Sequence, residues 1–338
     1  MKLIIHIGTH KTGTTALQRA FSATRDGLLH HGVWYPNYNE ILADDSKTSY
    51  AHLDLARGIM NEKSIVNKEE STLFLTQLAS ESKKRKGVNT VLLSGETLLR
   101  GKLGSGNHKW RKIQNFQKFI KESLVGFDEI EIVVTLRNYV DYLESLYNEH
   151  VKATTFSGAI LDFHTQFKER FNYKAIISTW EKNVAPVKVV SFDKLPRDRF
   201  VQEWTACVLG SEVSQIFTET KVESNVSWPL PFVEFKKHIN SRSIAASANT
   251  VRQLLEQFSQ TDEAKMLWPS KYTWLTKSEK HKFVEQYKDD QEWLIQKHGA
   301  EFESLSAVNG LSKPVFNGLT EKDWLEFTAL NLGLKKHG

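Results

Sequence analysis

The sequence predicts an α/β fold with three layers, α/β/α, a mainly parallel central sheet and a mainly helical carboxyl-terminal part. Short apolar runs typical of buried strands alternate with stretches of helical periodicity through the first 220 residues. Such alternation requires crossover connections, which make neighbouring strands parallel. The strand signal then fades. We expect a single domain over 1–338, with an α/β cofactor-binding core at 1–220 and a helical extension at 221–338.

Four segments are predicted to form the strands of the sheet. Each is a short run rich in β-branched or large apolar residues. In chain order they are Lys2 to Ile7, Thr90 to Leu93, Ile130 to Leu136 and Val187 to Phe192. Ligands of open parallel sheets bind outside the carboxyl ends of the strands, so the residues that follow these runs are the first candidates for a site.

Helices are predicted between the strands and in the carboxyl-terminal part. An apolar stripe marks one directly after the first strand and loop, and two more are expected over Lys109 to Ser123 and Asn138 to Lys152. Near the end of the chain, Thr276 and Glu279 form a capping box. We expect one long helix from there to a terminal cap at Gly299.

The composition favours a globular protein with an anionic ligand. The 45 Lys+Arg and 40 Asp+Glu leave a net charge of +5, a mild bias that does not call for nucleic acid. The single cysteine, Cys207, cannot form an internal disulfide and favours a reducing compartment. No apolar run approaches the ~18 residues of a membrane span, and the amino terminus has a strand pattern instead of a signal peptide. We therefore expect a cytoplasmic protein without an integral membrane segment.

The segment between the first strand and the first helix, IHIGTHKTGTTALQ, has the spacing of a phosphate-binding loop. Its glycines, Gly8 and Gly13, are placed as in a Walker loop. Nucleoside triphosphatases have a lysine directly after the second glycine and then a hydroxyl that holds magnesium. Here Thr14 and Thr15 follow Gly13, and the lysine lies inside the loop as Lys11. Backbone amides and a helix amino terminus can still bind an anion.

The third predicted strand indicates a second anion-binding group. It ends on Arg137, where a Walker B strand often carries an acidic metal ligand. Ser145 follows eight residues later, on the predicted polar face of the next helix with Asn138 and Asp141. Arg137 and Ser145 are therefore predicted to converge on one phosphate group.

Together, these two motifs resemble those of the sulfotransferases that use 3′-phosphoadenosine-5′-phosphosulfate (PAPS), particularly the bacterial and carbohydrate-modifying branches. The family's 5′-phosphosulfate loop, roughly Pro/His-Lys-x-Gly-Thr-Thr, is matched by His10, Lys11, Thr12, Gly13, Thr14 and Thr15. Its 3′-phosphate motif, an arginine and a serine separated by seven residues, is matched by Arg137 and Ser145. The resemblance implies a P-loop NTPase-like fold, PAPS as cofactor and adenosine 3′,5′-bisphosphate as product.

The resemblance also implies roles for the loop residues. Lys11 would contact the phosphosulfate bridge and stabilise charge on the bridging oxygen, and Thr14 and Thr15 would contact the 5′-phosphate. A lysine and oriented amides can suffice for a sulfuryl group, so no metal is expected.

Two weaker likenesses add cofactor-binding candidates. The stretch SFDKL resembles the family's Tyr-Glu-Asp-Leu segment, with Phe192 in place of tyrosine, so ring packing against the adenine is what remains. Asn225 and Ser227 resemble an Asn-x-Ser segment near the cofactor of related bacterial enzymes, and a simple turn is the alternative.

Transfer to a hydroxyl needs a group that takes its proton. Glu96, in LLSGETLL, follows the second strand and resembles the glutamate that serves as base in several carbohydrate sulfotransferases. His52 is the rival base, because neutral histidine is available near physiological pH. His10, inside the loop, is a candidate to touch the sulfuryl group. Glu96 and His52 each also have a purely structural alternative, and the family loop often has proline or another residue at the position of His10.

The resemblance implies a hydroxyl-bearing acceptor, a carbohydrate or glycolipid before a small phenol or other metabolite. A divergent P-loop kinase that uses ATP and magnesium is the second hypothesis, and Thr14 in place of the Walker lysine argues against it. The third hypothesis is a nucleotide-binding module without transfer activity.

Overall fold

The computed structural model describes residues 1–100, 109–218, 228–242, 245–259, 261–268, 272–300, 302 and 313–331. The chain divides into two compact units. The first comprises Met1–Asn138, Asn172–Ser224 and Asp289–Phe302, and the second comprises Tyr139–Phe171, Asn225–Lys288 and Glu303–Gly338.

A five-stranded parallel sheet lies in the first unit. Its strands are β1 (Lys2–His6), β2 (Val33–Trp34), β3 (Thr90–Ser94), β4 (Glu129–Leu136) and β5 (Val187–Ser191). They are ordered β2-β3-β1-β4-β5, and all pairs are parallel. The predicted α/β fold and its four strands are confirmed. Sequence reasoning missed β2, because two residues are too short for a periodic signal.

The helices connect and cover these strands. In the described part of the chain they are α1 (Thr14–Ala23), α2 (Arg25–His30), α3 (Asn39–Leu42), α4 (Leu53–Ile59), α5 (Lys68–Lys83), α6 (Thr97–Arg100), α7 (Lys109–Ser123), α8 (Tyr139–Ala153), α9 (Ile160–Phe167), α10 (Tyr173–Asn183), α11 (Phe200–Leu209), α12 (Ser211–Ser214), α13 (Leu230–Ser241), α14 (Ala245–Ser259), α15 (Asp262–Leu267), α16 (Lys277–Glu285), α17 (Lys288–His298) and α18 (Glu321–Asn331). Short 3₁₀ helices lie at Lys168–Phe171, Phe192–Lys194 and Gln215–Phe217.

Both faces of the sheet are covered. The consecutive residues Leu3, Ile4 and Ile5 of β1 are each at most 2% exposed, although neighbouring residues of a strand point to opposite faces. One face packs in a single core cluster with residues of α1 and α11, including Phe21 and Trp204. The first unit therefore has helices on both sides of its sheet, as buried parallel sheets require.

The second unit is helical in its described part and contains α8. The predicted inward face of α8 is confirmed, since Val140, Leu143 and Tyr147 are at most 1% exposed. The prediction that Asn138 belongs to the polar face was wrong. Asn138 precedes α8, is 4% exposed, and its backbone N–H donates to the Oδ2 atom of Asp193 at 2.5 Å.

The single long helix expected from Thr276 to Gly299 was also wrong. The capping box of Thr276 and Glu279 begins α16 as predicted. However, the backbone amides of Gln286 and Tyr287 donate to carbonyls three residues earlier, which closes a tighter turn and ends α16. A separate helix, α17, follows. Across the described residues, no helix combines the length and apolarity needed to span a membrane.

Candidate functional site

The loop between β1 and α1 has an unusual backbone. Gly8, Lys11 and Gly13 have φ angles of 41°, 65° and 74°, in the left-handed region that favours glycine. A lysine there carries backbone strain, which often marks a functional loop. Gly13 is the N-cap of α1 and has no side chain to accept from the first-turn amides. The first turn of α1 therefore presents N–H donors suited to an anion.

A close contact explains why position 13 is glycine. A Cβ atom there would lie 2.6 Å from Cζ of Phe200 and 3.2 Å from Cε2 of Phe192. Gly13→Ala is expected to destabilise the fold by ~1 to 3 kcal/mol and to abolish anion binding by moving the loop. Urea unfolding and calorimetric titration would measure both effects.

Gly87 offers a matched control for this substitution. It has a φ of 83°, and a Cβ atom would meet nothing within 4 Å. Gly87→Ala therefore reports the cost of the backbone angle alone. Equal destabilisation by the two variants, with ligand binding kept in both, would show that packing against Phe200 does not hold the loop.

Glu96 lies beside the loop, two residues beyond the end of β3. Its Oε2 atom accepts a hydrogen bond from Nε2 of Gln18 at 3.0 Å, and its Oε1 atom lies 3.9 Å from Nδ1 of His10. The Glu96 and His10 side chains are 13% and 21% exposed. β3 and β1 are neighbours in the sheet, and this brings the predicted base and the loop histidine together.

Arg137 lies on the other side of the loop, directly after β4. Its Nη1 atom donates to the carbonyl oxygen of Lys11 at 3.5 Å, and its Nε atom lies 3.8 Å from Oδ1 of Asp193. Its backbone carbonyl accepts from the hydroxyl of Tyr173 at 3.0 Å. The Arg137 guanidinium therefore lies against the loop that contains Lys11.

Phe192 lies near the same arginine, in the 3₁₀ helix that follows β5. The guanidinium carbon of Arg137 is 5.4 Å from the centre of the Phe192 ring, a cation–π arrangement. The ring also packs edge-on against Phe200 at 5.2 Å. An aromatic face therefore lies next to Gly13 and Arg137.

His52 is embedded in the protein interior. It is 2% exposed, its Nδ1 atom accepts from the backbone N–H of Ser94 at 3.0 Å, and its Nε2 atom is 2.9 Å from the carbonyl oxygen of Pro36. Burial lowers the pKa of His52 to about 3, so the ring is neutral. With both nitrogens engaged, the ring has no acceptor to offer a substrate proton.

The remaining predicted residues differ in their surroundings. Thr12 is fully buried, and its hydroxyl donates to the carbonyl oxygen of Thr9 at 2.6 Å, so only its backbone is suited to a ligand. Thr14 is 5% exposed, and Thr15 is half-buried. Ser145 is half-buried on α8 of the second unit. Asn225 and Ser227 lie outside the described residues.

Two residues of this site were missed by sequence reasoning. The Asp193 carboxylate pairs with Arg137 and accepts a hydrogen bond from the backbone N–H of Asn138. The Gln18 side-chain amide donates a hydrogen bond to the Glu96 carboxylate. Asp193 belongs to the SFDKL stretch, where only the aromatic residue was considered. Gln18 had no signal beyond its place on a helix face. Among the described residues, no group of three or more His, Cys, Asp or Glu side chains is arranged to hold a metal ion.

No model of a known protein family matches this chain, and no curated protein matches it. Among solved structures, the chain is similar to the crystal structure of a sulfotransferase from Alicyclobacillus acidocaldarius. The likeness covers 73% of this chain and 94% of that chain, with 15% sequence identity and a TM-score of 0.37. A likeness this distant leaves the function to be inferred from the chain's own residues.

Proposed function

We propose that this chain transfers the sulfuryl group of PAPS to a hydroxyl group of a carbohydrate or glycolipid. The observation that carries this proposal is the contact of Arg137 with the loop at Lys11. This hydrogen bond brings the Arg137 guanidinium to the backbone of the loop that contains Lys11. An arginine beside a loop that presents amide donors suits a nucleotide with phosphates at both its 5′ and 3′ positions. A kinase site would instead need an acidic metal ligand near the end of β4 and a lysine at position 14.

Different residues of the site would bind the two phosphates and the adenine of the donor. First-turn amides of α1 would hold the 5′-phosphate, with Thr14 and Thr15 at that turn. Arg137 would hold the 3′-phosphate, and Phe192 offers its ring to the adenine. PAPS supplies the sulfuryl group and a stable bisphosphate leaving group.

Two side chains would assist the transfer itself. Glu96 would accept the proton of the attacking hydroxyl at its Oε1 atom, which lies on the side of His10. Lys11 would stabilise the negative charge that remains on the bridging oxygen when the sulfur–oxygen bond breaks. The resemblance of LLSGETLL to a segment of carbohydrate sulfotransferases supports a saccharide acceptor.

Cys207 is an exposed free thiol, which supports a cytoplasmic location.

Calorimetric titration with adenosine 3′,5′-bisphosphate in metal-free buffer tests the cofactor. Arg137→Ala should weaken binding by ~1.5 to 3 kcal/mol, about 10- to 150-fold in Kd, because a charged hydrogen bond is lost. Arg57→Ala is the control, since the Arg57 side chain is 40% exposed and pairs with Asp54 on α4. Its affinity should equal that of the wild type.

Two further measurements separate the alternatives. Binding of ATP with magnesium, and none of the bisphosphate, would overturn the proposal in favour of a kinase. Release of adenosine 3′,5′-bisphosphate from PAPS in the presence of saccharide acceptors would distinguish an enzyme from a module that only binds. Tight binding without turnover across such acceptors would favour the inactive module.

A further inference from the structure

Gln18, on α1, links the loop helix to the predicted base. Its side chain is 1% exposed, and its Nε2 atom donates to Oε2 of Glu96 at 3.0 Å and to Oγ of Ser94 at 3.3 Å. The three residues come from α1, from β3 and from the turn that follows β3. The Gln18 amide nitrogen therefore donates both to the last residue of β3 and to the Glu96 carboxylate beyond it.

The orientation of this amide is set by Glu96 and Ser94. Rotating the amide by 180° would turn its oxygen toward the carboxylate, which accepts and cannot donate when ionised. In the described residues, the Oε1 atom of Gln18 is buried and meets no hydrogen-bond donor. An unmatched buried acceptor is unfavourable, so the two bonds from Nε2 outweigh it.

A buried polar network holds Ser94 in place. Its Oγ atom is 2.9 Å from Nδ1 of His6, whose Nε2 atom is 3.1 Å from Oγ1 of Thr135. The same Thr135 oxygen accepts from Nε1 of Trp204 at 2.9 Å. The network joins β1, β3, β4 and α11, and it fixes the position of the Ser94 hydroxyl that Gln18 contacts.

We propose that Gln18 is a positioning residue that orients the Glu96 carboxylate for proton transfer. This inference rests on the proposed function. Gln18 occupies the Oε2 atom, and the Oε1 atom, 3.9 Å from Nδ1 of His10, is the one that faces the loop. A carboxylate held by one oxygen presents the other in a defined direction, which is what a general base requires.

The titratable groups near the Glu96 carboxylate belong to the loop, to the segment after β2 and to the buried network around Ser94. His10 lies beside it on the loop, and Tyr35, in the segment after β2, interacts with it electrostatically. Burial raises the pKa of Tyr35 well above its usual range, so it stays neutral at working pH. A charge introduced at position 18 would therefore act on Glu96 and His10, and also on His6, which contacts Ser94.

Gln18→Met removes the donor and keeps the length of the side chain. It should lower kcat for sulfuryl transfer about 10- to 100-fold, with the Kd for adenosine 3′,5′-bisphosphate changed less than twofold. In a Glu96→Gln background the same substitution should have no further effect on kcat, because the group it acts through is gone. Gln18→Glu should move the acidic limb of the pH–rate profile about one unit or more toward higher pH.

The outcomes distinguish failure of the positioning role from failure of the proposed function. An unchanged kcat in Gln18→Met, or an equal loss of kcat with and without Glu96, would overturn the positioning role. A wild-type protein that never releases the bisphosphate from PAPS would overturn the proposed function, and this inference with it. If the wild type releases the bisphosphate, the Gln18 variants test the positioning role. If it does not, the proposed function itself has failed.

Discussion

Glu96→Gln is expected to lower kcat for sulfuryl transfer by ~10²- to 10⁴-fold, the usual contribution of a positioned general base. The amide has nearly the shape of the carboxylate but cannot take the proton of the acceptor hydroxyl. Affinity for adenosine 3′,5′-bisphosphate should stay the same, since Glu96 contacts Gln18 and His10 on the β3 side of the loop, whereas Arg137 follows β4 and contacts the loop at Lys11. Steady-state release of the bisphosphate from PAPS, combined with calorimetry, would measure both quantities.

His52→Gln is the comparison that identifies the base. Because His52 is buried and bonded through both ring nitrogens, its replacement should reduce stability and leave kcat of the folded protein close to the wild-type value. A kcat that survives in Glu96→Gln and collapses in His52→Gln would reverse the roles proposed for these residues.

Acid is expected to destabilise the protein steeply between pH 6.5 and pH 5. Burial lowers the pKa of His6 and of His52 from 6.5 to about 3. Between these values the unfolded chain binds a proton at each histidine and the folded chain does not, so stability rises with pH and falls as acid is added. Well below pH 6.5, each site contributes about 1.4 kcal/mol per pH unit.

The expected loss is about 2 kcal/mol per histidine at pH 5, or about 4 kcal/mol for His6 and His52 together. Other histidines with a pKa lowered by burial, such as the half-buried His150 and the buried His164, act in the same direction. The free energy of unfolding from urea titrations at pH 7.5, 6.5 and 5 would measure the slope. These pH values are chosen to bracket the ordinary histidine pKa, about 6.5.

Single substitutions can assign this slope. His6→Gln should be less stable than the wild type at pH 7.5, since the ring bridges Ser94 and Thr135, yet lose less stability on acidification. His281→Gln is the control, because that histidine is exposed on α16 and should leave the slope unchanged. A wild-type stability that is flat from pH 7.5 to pH 5 would contradict neutral, buried histidines at positions 6 and 52.

The elements of the core were largely predictable, and the exceptions have local causes. Four apolar runs became β1, β3, β4 and β5. β2 was missed because only Val33 and Trp34 pair with β3. The helix expected up to Gly299 divides at Gln286, where two tight turns replace the helical bonding. The organisation as a single domain, and the roles of the predicted site residues, stay predictions.

Local chemistry is enough to predict strands from β-branched runs, the start of α16 from its capping box, and the loop from its glycines. Each of these depends on residues a few positions apart. The contacts of Gln18 with Glu96 and of His6 with Thr135 join residues 78 and 129 positions apart. Which side chains meet at such distances depends on strand order and register, and these follow from packing of the whole sheet. Only the tertiary structure could therefore bring Gln18 to Glu96 and Asp193 to Arg137.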